Sequence, residues 1–239
     1  MVHKRSTPTL VLLPGLDGTG LLFRAFVEAL SPHVETQVVT YPVDQRLGYA
    51  ELEALVRAAL PTHRPYVVLG ESFSGPIAIR LAAGRPGADP PAGMVGLILC
   101  VTFAKNPHPL LAWMGPWASG VPVKGLPAWL QAPFMWGGWS ANPEPLEVQR
   151  ATAAVDEAVL RHRIAAVLAV DETTALARIR MPTLVLRASA DHVVPHAASE
   201  HVLRVLPAAE LVEVEGPHLL LQMRPAECAA VVRRFLRTL

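Results

Sequence analysis

The chain has 239 residues, 51% hydrophobic and 17% charged, which is enough apolar material for a large core and too much for a disordered chain. Its length suits one sizeable domain. The formal net charge of +1 gives no electrostatic case for a nucleic-acid partner.

Short apolar runs alternate with helical patterns from the start. Thr9 to Leu13 is a run bounded by Pro8 and Pro14, too short for a signal segment. Leu21 to Leu30 carries Phe23, Phe26, Val27 and Leu30 at helical spacing. A second apolar run contains Val38-Val39 and ends at Tyr41-Pro42, and Tyr49 to Leu60 is helical. Tyr66 to Leu69 is the third run, with a helix over Gly75 to Ala83 behind it. Met94 to Val101 is the fourth, and the apolar stretch around it is too short to span a bilayer. Thr183 to Leu186 and Glu210 to Val214 follow, with helices over Ala197 to Leu206 and Pro225 to Leu236. Continuous apolar runs of this length fit strands buried on both faces. Their alternation with helices predicts a mostly parallel α/β sheet with helices on both faces. Cys100 and Cys228 read as small core residues, without a disulfide framework or metal spacing.

One region breaks the rhythm. Residues 106–143 are rich in proline, contain all five tryptophans and have Lys124 as their one Lys, Arg, Asp or Glu. A helical stretch follows, with Leu160, Ile164, Val167 and Leu168 on one face. The chain therefore divides into a core, residues 1–105 and 171–239, and an inserted lid, residues 106–170. Most of the tryptophans read as packing residues, while Trp113, Trp117 and Trp136 are the candidates for contact with an apolar ligand. The pairs Arg161/Arg163 and Arg233/Arg234 read as solvated helix faces. The alternative for Arg161 and Arg163 is contact with an acidic carrier protein.

The chemistry concentrates in Val67-Val68-Leu69-Gly70-Glu71-Ser72-Phe73-Ser74-Gly75. A buried strand runs through a small–x–Ser–x–small turn into a helix, the pattern that presents a nucleophilic serine on a strained turn. Ser74 is the competing nucleophile, but Pro76 stands where it would need a small neighbour. A serine needs a base, and such folds place an acid and then a histidine later in the chain. His218 follows the sixth run, and Asp191 lies a few residues past the fifth. Asp171 and Glu172 are weaker candidates for the acid because they precede that strand. An oxyanion hole needs backbone N–H donors. Phe73, next to the serine, is one candidate, and Leu16 in the loop Pro14-Gly15-Leu16-Asp17-Gly18-Thr19-Gly20 is the other. That loop lacks the patterns of a phosphate cradle. His192, His196 and His201 near Asp191 could suggest a metal, but Pro195 interrupts their spacing. No metal and no cofactor are expected.

Together these residues resemble the α/β-hydrolase superfamily of esterases, lipases and thioesterases, in order along nearly the whole chain. The segments Leu13 to Gly20 and Gly70 to Gly75 are similar to those of bacterial hydrolases related to plastid esterase/acyltransferase proteins. Two departures stand out. Pro14 replaces the histidine that many members carry before the oxyanion glycine. Only eight residues precede the first buried strand, so the sheet should be trimmed at its N-terminal edge. Without a disulfide framework, a signal segment or a bilayer-length apolar stretch, a soluble, cytoplasmic protein is expected. The resemblance implies a serine esterase, with Ser72, Asp191 and His218 as the triad, that cleaves a small apolar ester through an acyl-enzyme. The alternatives are acyl transfer to an alcohol, a thioesterase or carrier-bound ester activity, and a binding protein that kept the fold without turnover. The sequence does not specify an oligomeric state.

Overall fold

A computed structural model describes residues 7–85, 87–110 and 145–239. Its sheet has six strands: β1 (Thr9–Leu13), β2 (Thr36–Val38), β3 (Tyr66–Glu71), β4 (Met94–Cys100), β5 (Thr183–Ala190) and β6 (Glu210–Pro217). Their order is β2-β1-β3-β4-β5-β6, and every pair is parallel. β2 forms the edge, and the described residues hold no antiparallel pair outside it. The second strand stops at Val38, short of the Tyr41-Pro42 end expected from its apolar residues. Beyond it the Tyr41 N–H turns to the Gly18 carbonyl at 2.8 Å and leaves the ladder.

Period-two side-chain alternation divides the core between the two faces. On one, Val11, Leu13 and Val68 pack with α2 (Tyr49–Ala59) and α3 (Gly75–Ala83). On the other, Leu10, Leu12, Val67 and Leu69 pack with α1 (Arg24–Leu30). The last long helix of the chain, Pro225–Leu236, covers the same face through Cys228, Ala229, Val232 and Phe235. Pro225 stands in its first turn, where its missing N–H leaves no intrahelical bond unmade. Both cysteines are buried and unpaired.

After β4 the chain leaves the sheet, and it returns before β5. Lys105 and Asp171 form an antiparallel bridge where it departs and re-enters. The Asn106 N–H donates to the Val170 carbonyl at 2.9 Å, and the Glu172 N–H to the Ala104 carbonyl at 2.7 Å. Among the described residues two further helices precede the return, α4 (Pro145–Ala153) and α5 (Glu157–Ala169). Among the described residues no helix is long and apolar enough to cross a membrane.

One of the buried carboxyls stands in a central strand. Glu71, the last residue of β3, is buried in a strand whose other side chains are apolar or absent. Gln222 Nε2 donates to its Oε1 at 2.9 Å, and the Gly15 backbone also hydrogen-bonds to it. Burial pushes its pKa from 4.5 up to about 7, and the negative charge of Asp17 adds to this; Gln222, His218 and the Gly15 bond oppose it. Folded protein therefore keeps a proton that the unfolded chain has already lost between about pH 4.5 and about 7. Stability present below that window falls as pH rises through it, by up to about 3 kcal/mol. Glu71→Gln keeps the acceptor and should remove this fall. In urea denaturation, the variant should gain stability on wild type between about pH 5 and about pH 8. Parallel pH dependences in the two proteins would show that Glu71 ionises normally.

Candidate active site

The serine turn is shaped by close contacts. Ser72 has φ of +49°, a left-handed conformation that costs a non-glycine residue of order 1–3 kcal/mol. Its carbonyl accepts a hydrogen bond from Thr102 Oγ1, just past β4. A Cβ on Gly75 would meet that hydroxyl at 2.0 Å, and one on Gly70 would meet the Ser74 carbonyl and Ala78 Cβ at 2.8 Å. The tight approaches thus fall at positions 70 and 75, which is why a serine is tolerated at 74. Ser74 is fully buried and donates to the Pro14 carbonyl. Its one proton is committed there, so at 2.7 Å from Tyr41 Oη it is the acceptor. Burial raises the Tyr41 pKa and keeps that phenol a donor. Ser74 is a strut between the turn and the loop after β1.

Ser72 Oγ lies 2.9 Å from His218 Nε2. On the other side of the ring, His218 Nδ1 lies 2.8 and 3.0 Å from the two Asp191 carboxyl oxygens. Asp191 Oδ1 also accepts the N–H groups of Val193 and Val194 at 2.9 and 2.7 Å. The imidazole and carboxylate side chains are 6% and 2% exposed, so water does not compete for their bond. Asp191 follows directly on β5, which runs four residues beyond its expected end at Leu186. His218 directly follows β6 in the same way. The last paired positions, Ala188 with Val214 and Ala190 with Pro217, leave one extra residue in β6. Such a bulge re-aims the strand, and the Gly216 N–H turns to Ser189 Oγ at 3.2 Å.

The loop after β1 reaches the same place. A Cβ on Gly15 would stand 3.9 Å from Ser72 Cβ, and the Leu16 N–H has no acceptor among the described residues. Phe73 is buried, stacked on Tyr49 with ring centroids 4.9 Å apart and 22° between planes. The candidates for nucleophile, base, acid and the Leu16 and Phe73 donors therefore meet at one edge of the sheet. Trp113, Trp117 and Trp136 lie outside the described residues.

Other expectations are corrected or redirected. Arg163, read as part of a solvated face, is 1% exposed. Its fork donates to the Leu16, Asp17 and Pro42 carbonyls, at 2.9, 2.8 and 2.9 Å. Helical spacing could not reveal acceptors that come from two distant loops. Burial lowers its pKa, opposed by Asp17 and Tyr41. Arg161 is half-buried and pairs with Glu157 one turn away. Asp171 accepts the Thr173 N–H, and Glu172 pairs with Arg80, so neither weaker acid candidate joins His218. His196 turns to the Ala188 carbonyl and His201 to Thr173. Among the described residues no His, Cys, Asp and Glu side chains are grouped to hold a metal. Glu71, Thr102 and Arg163 were not anticipated. Only Glu71 carried a signal, a carboxylate continuing a run of strand residues.

The chain also resembles known proteins in sequence and in fold. The chain is 29% identical over 264 residues to the putative carbamate hydrolase RutD of Rhizobium rhizogenes, covering 99% of this chain and 96% of RutD. It is 31% identical over 232 residues to polyketide synthase ThaQ of Burkholderia thailandensis, a match to 87% of this chain but only 11% of ThaQ. The enol-lactonase of Burkholderia xenovorans has the same fold, with a TM-score of 0.78 at 19% identity over 97% of this chain and 92% of that one. The model of the alpha/beta hydrolase family matches residues 10–231, and with a parallel sheet that carries a serine turn, an acid and a histidine in that family's order, the chain belongs to it.

Proposed function

We propose that the protein is a serine esterase that cleaves a small apolar carboxylic ester. The observation that carries this reading is the unbroken relay from Ser72 Oγ through His218 to Asp191. His218 Nε2 takes the hydroxyl proton as Ser72 Oγ bonds to the ester carbon. Asp191 fixes the tautomer with Nδ1–H and balances the imidazolium charge. The Leu16 and Phe73 N–H groups receive the oxyanion. As the intermediate collapses, the ester C–O bond breaks and His218 gives its proton to the departing alcohol. Water then attacks the acyl-Ser72 carbonyl as His218 takes its proton; the bond from the acyl carbon to Ser72 Oγ breaks, His218 returns the proton to Oγ, and the acid leaves. None of these steps calls on a metal or cofactor.

The likeness to a segment of a polyketide synthase supports a second reading, an acyl chain delivered as a thioester. The same attack serves, with a thiol as leaving group, and an alcohol in place of water would make the enzyme an acyltransferase.

Wild type should be labelled by a fluorophosphonate and hydrolyse p-nitrophenyl butyrate. Ser72→Ala should fold normally, escape labelling and lose activity by a factor on the order of 10^4 or more. A folded Ser72→Ala that keeps more than about a tenth of wild-type turnover would remove Ser72 from the mechanism.

The tryptophan-rich, charge-poor sequence of residues 106–143 supports an apolar acyl group. Each methylene buried in the transition state adds up to about 0.8 kcal/mol, so two or three give about a tenfold preference or more. Across p-nitrophenyl esters from acetate to decanoate, kcat/KM should peak between about butyrate and octanoate. A steady fall from acetate onward would mean a pocket for a small acyl group.

A further inference from the structure

Arg163 lies on α5, in the segment between β4 and β5, yet its partners belong to the loops after β1 and β2. Nη1 bonds the Leu16 and Asp17 carbonyls, and Nη2 bonds the Pro42 carbonyl. The same guanidinium lies 6.0 Å from the centroid of the Phe73 ring and 5.7 Å from that of Tyr41. One planar cation therefore holds the backbone of one oxyanion residue and the ring of the other. The loop is shaped to admit it. A Cβ on Gly18 would stand 2.6 Å from Nη1, and Gly18 takes a left-handed φ of +71°. Burying a guanidinium is costly, and among the described residues Nε has no partner. Anchoring alone could be done by an apolar side chain of the same length. Bridging three carbonyls of two loops requires the fork.

We infer that Arg163 is a positioning residue for the oxyanion hole, fixing the spacing between the Leu16 and Phe73 N–H groups through the Leu16 and Asp17 carbonyls and the Phe73 ring. This rests on the esterase reading. Pinning both carbonyls sets the backbone torsions at Leu16 and Asp17. The turn is closed by the Gly18 N–H on the Gly15 carbonyl at 3.1 Å, and the Leu16 N–H is left for the oxyanion. Donors held in place before the reaction need no reorganisation as charge develops. Arg163 touches no reacting atom, so its effect belongs to kcat.

The test compares wild type, Arg163→Lys and Arg163→Ala on p-nitrophenyl butyrate. Competent sites are counted by complete titration with a fluorophosphonate, and the melting temperature of each protein is recorded. Loss of an oxyanion donor costs about 10²- to 10³-fold, and displacing one should cost less. In Arg163→Lys, kcat per titrated site should fall about ten- to a hundredfold with KM within about twofold. Millimolar guanidinium should restore kcat to Arg163→Ala and not to Ser72→Ala. If Arg163→Ala does not fold, the lysine variant decides alone. Fewer titratable sites and a lower melting temperature, with wild-type kcat per site, would make Arg163 a structural anchor and overturn the inference. A wild type that neither labels nor hydrolyses the ester would sink the esterase reading, and the inference with it.

Discussion

The site depends on the parallel register of the sheet. Leu13 pairs with Gly70, Glu71 with Cys100, Cys100 with Leu186, and Ala190 with Pro217. β1, β3 and β4 end level, β5 and β6 run about four residues farther, and the residues just beyond them lie at the C-terminal ends of the strands, the place where open α/β sheets bind ligands. A strand advances about 3.3 Å per residue. Slipping β5 or β6 by a single position would move Asp191 or His218 farther than the 2.8 Å that separates them, and would turn the strand's apolar side chains to the wrong face. The same apolar packing that fixes the register therefore fixes the relay. The bulge ahead of His218 is the one local adjustment between β5 and β6.

Behind the relay lies a second layer of polar groups. Glu71 and Gln222 sit beneath the serine turn, Thr102 holds the Ser72 carbonyl, Ser74 links the turn to Pro14, and Arg163 holds the Leu16 and Asp17 carbonyls of that loop. A polar group in a low-dielectric interior is expensive unless partnered. Each of these contacts ties a loop that could otherwise move to an element that cannot. The left-handed φ of Ser72 and of Val101, at +49° and +43°, shows the same economy. Both strained residues flank the contact of Thr102 with the turn, where the surrounding packing can hold them.

Much of this was legible in the sequence because the candidate site residues follow buried strands, and buried strands announce themselves as apolar runs. Ser72, Asp191 and His218 could each be placed by its position after such a run. The runs were less informative about ends. β5 continues to Ala190 through Arg187 and Ser189, whose polarity hides the strand, and β2 stops before the apolar Val39 and Tyr41. Arg163 was misread because a helical wheel separates solvent from core and knows nothing of carbonyls brought in by other loops. Thr102 was invisible for a similar reason. Its significance lies in the absence of a Cβ at Gly75, nearly thirty residues earlier in the chain.

The bridge between Lys105 and Asp171 bears on how this molecule could change over evolutionary time. The chain departs from the sheet and rejoins it through a narrow neck, closed by hydrogen bonds on both sides. The entropy of closing a loop grows only with the logarithm of its length. Closure at the neck therefore sets little limit on how many residues lie between it and α5, although the buried Ala151 and Val155 must be kept. The tolerance ends at Arg163, which must still reach the Leu16 carbonyl. Drift under these constraints should yield a family of proteins with a common sheet and relay, divergent sequence after residue 106, and a guanidinium retained at the far end of the divergent stretch.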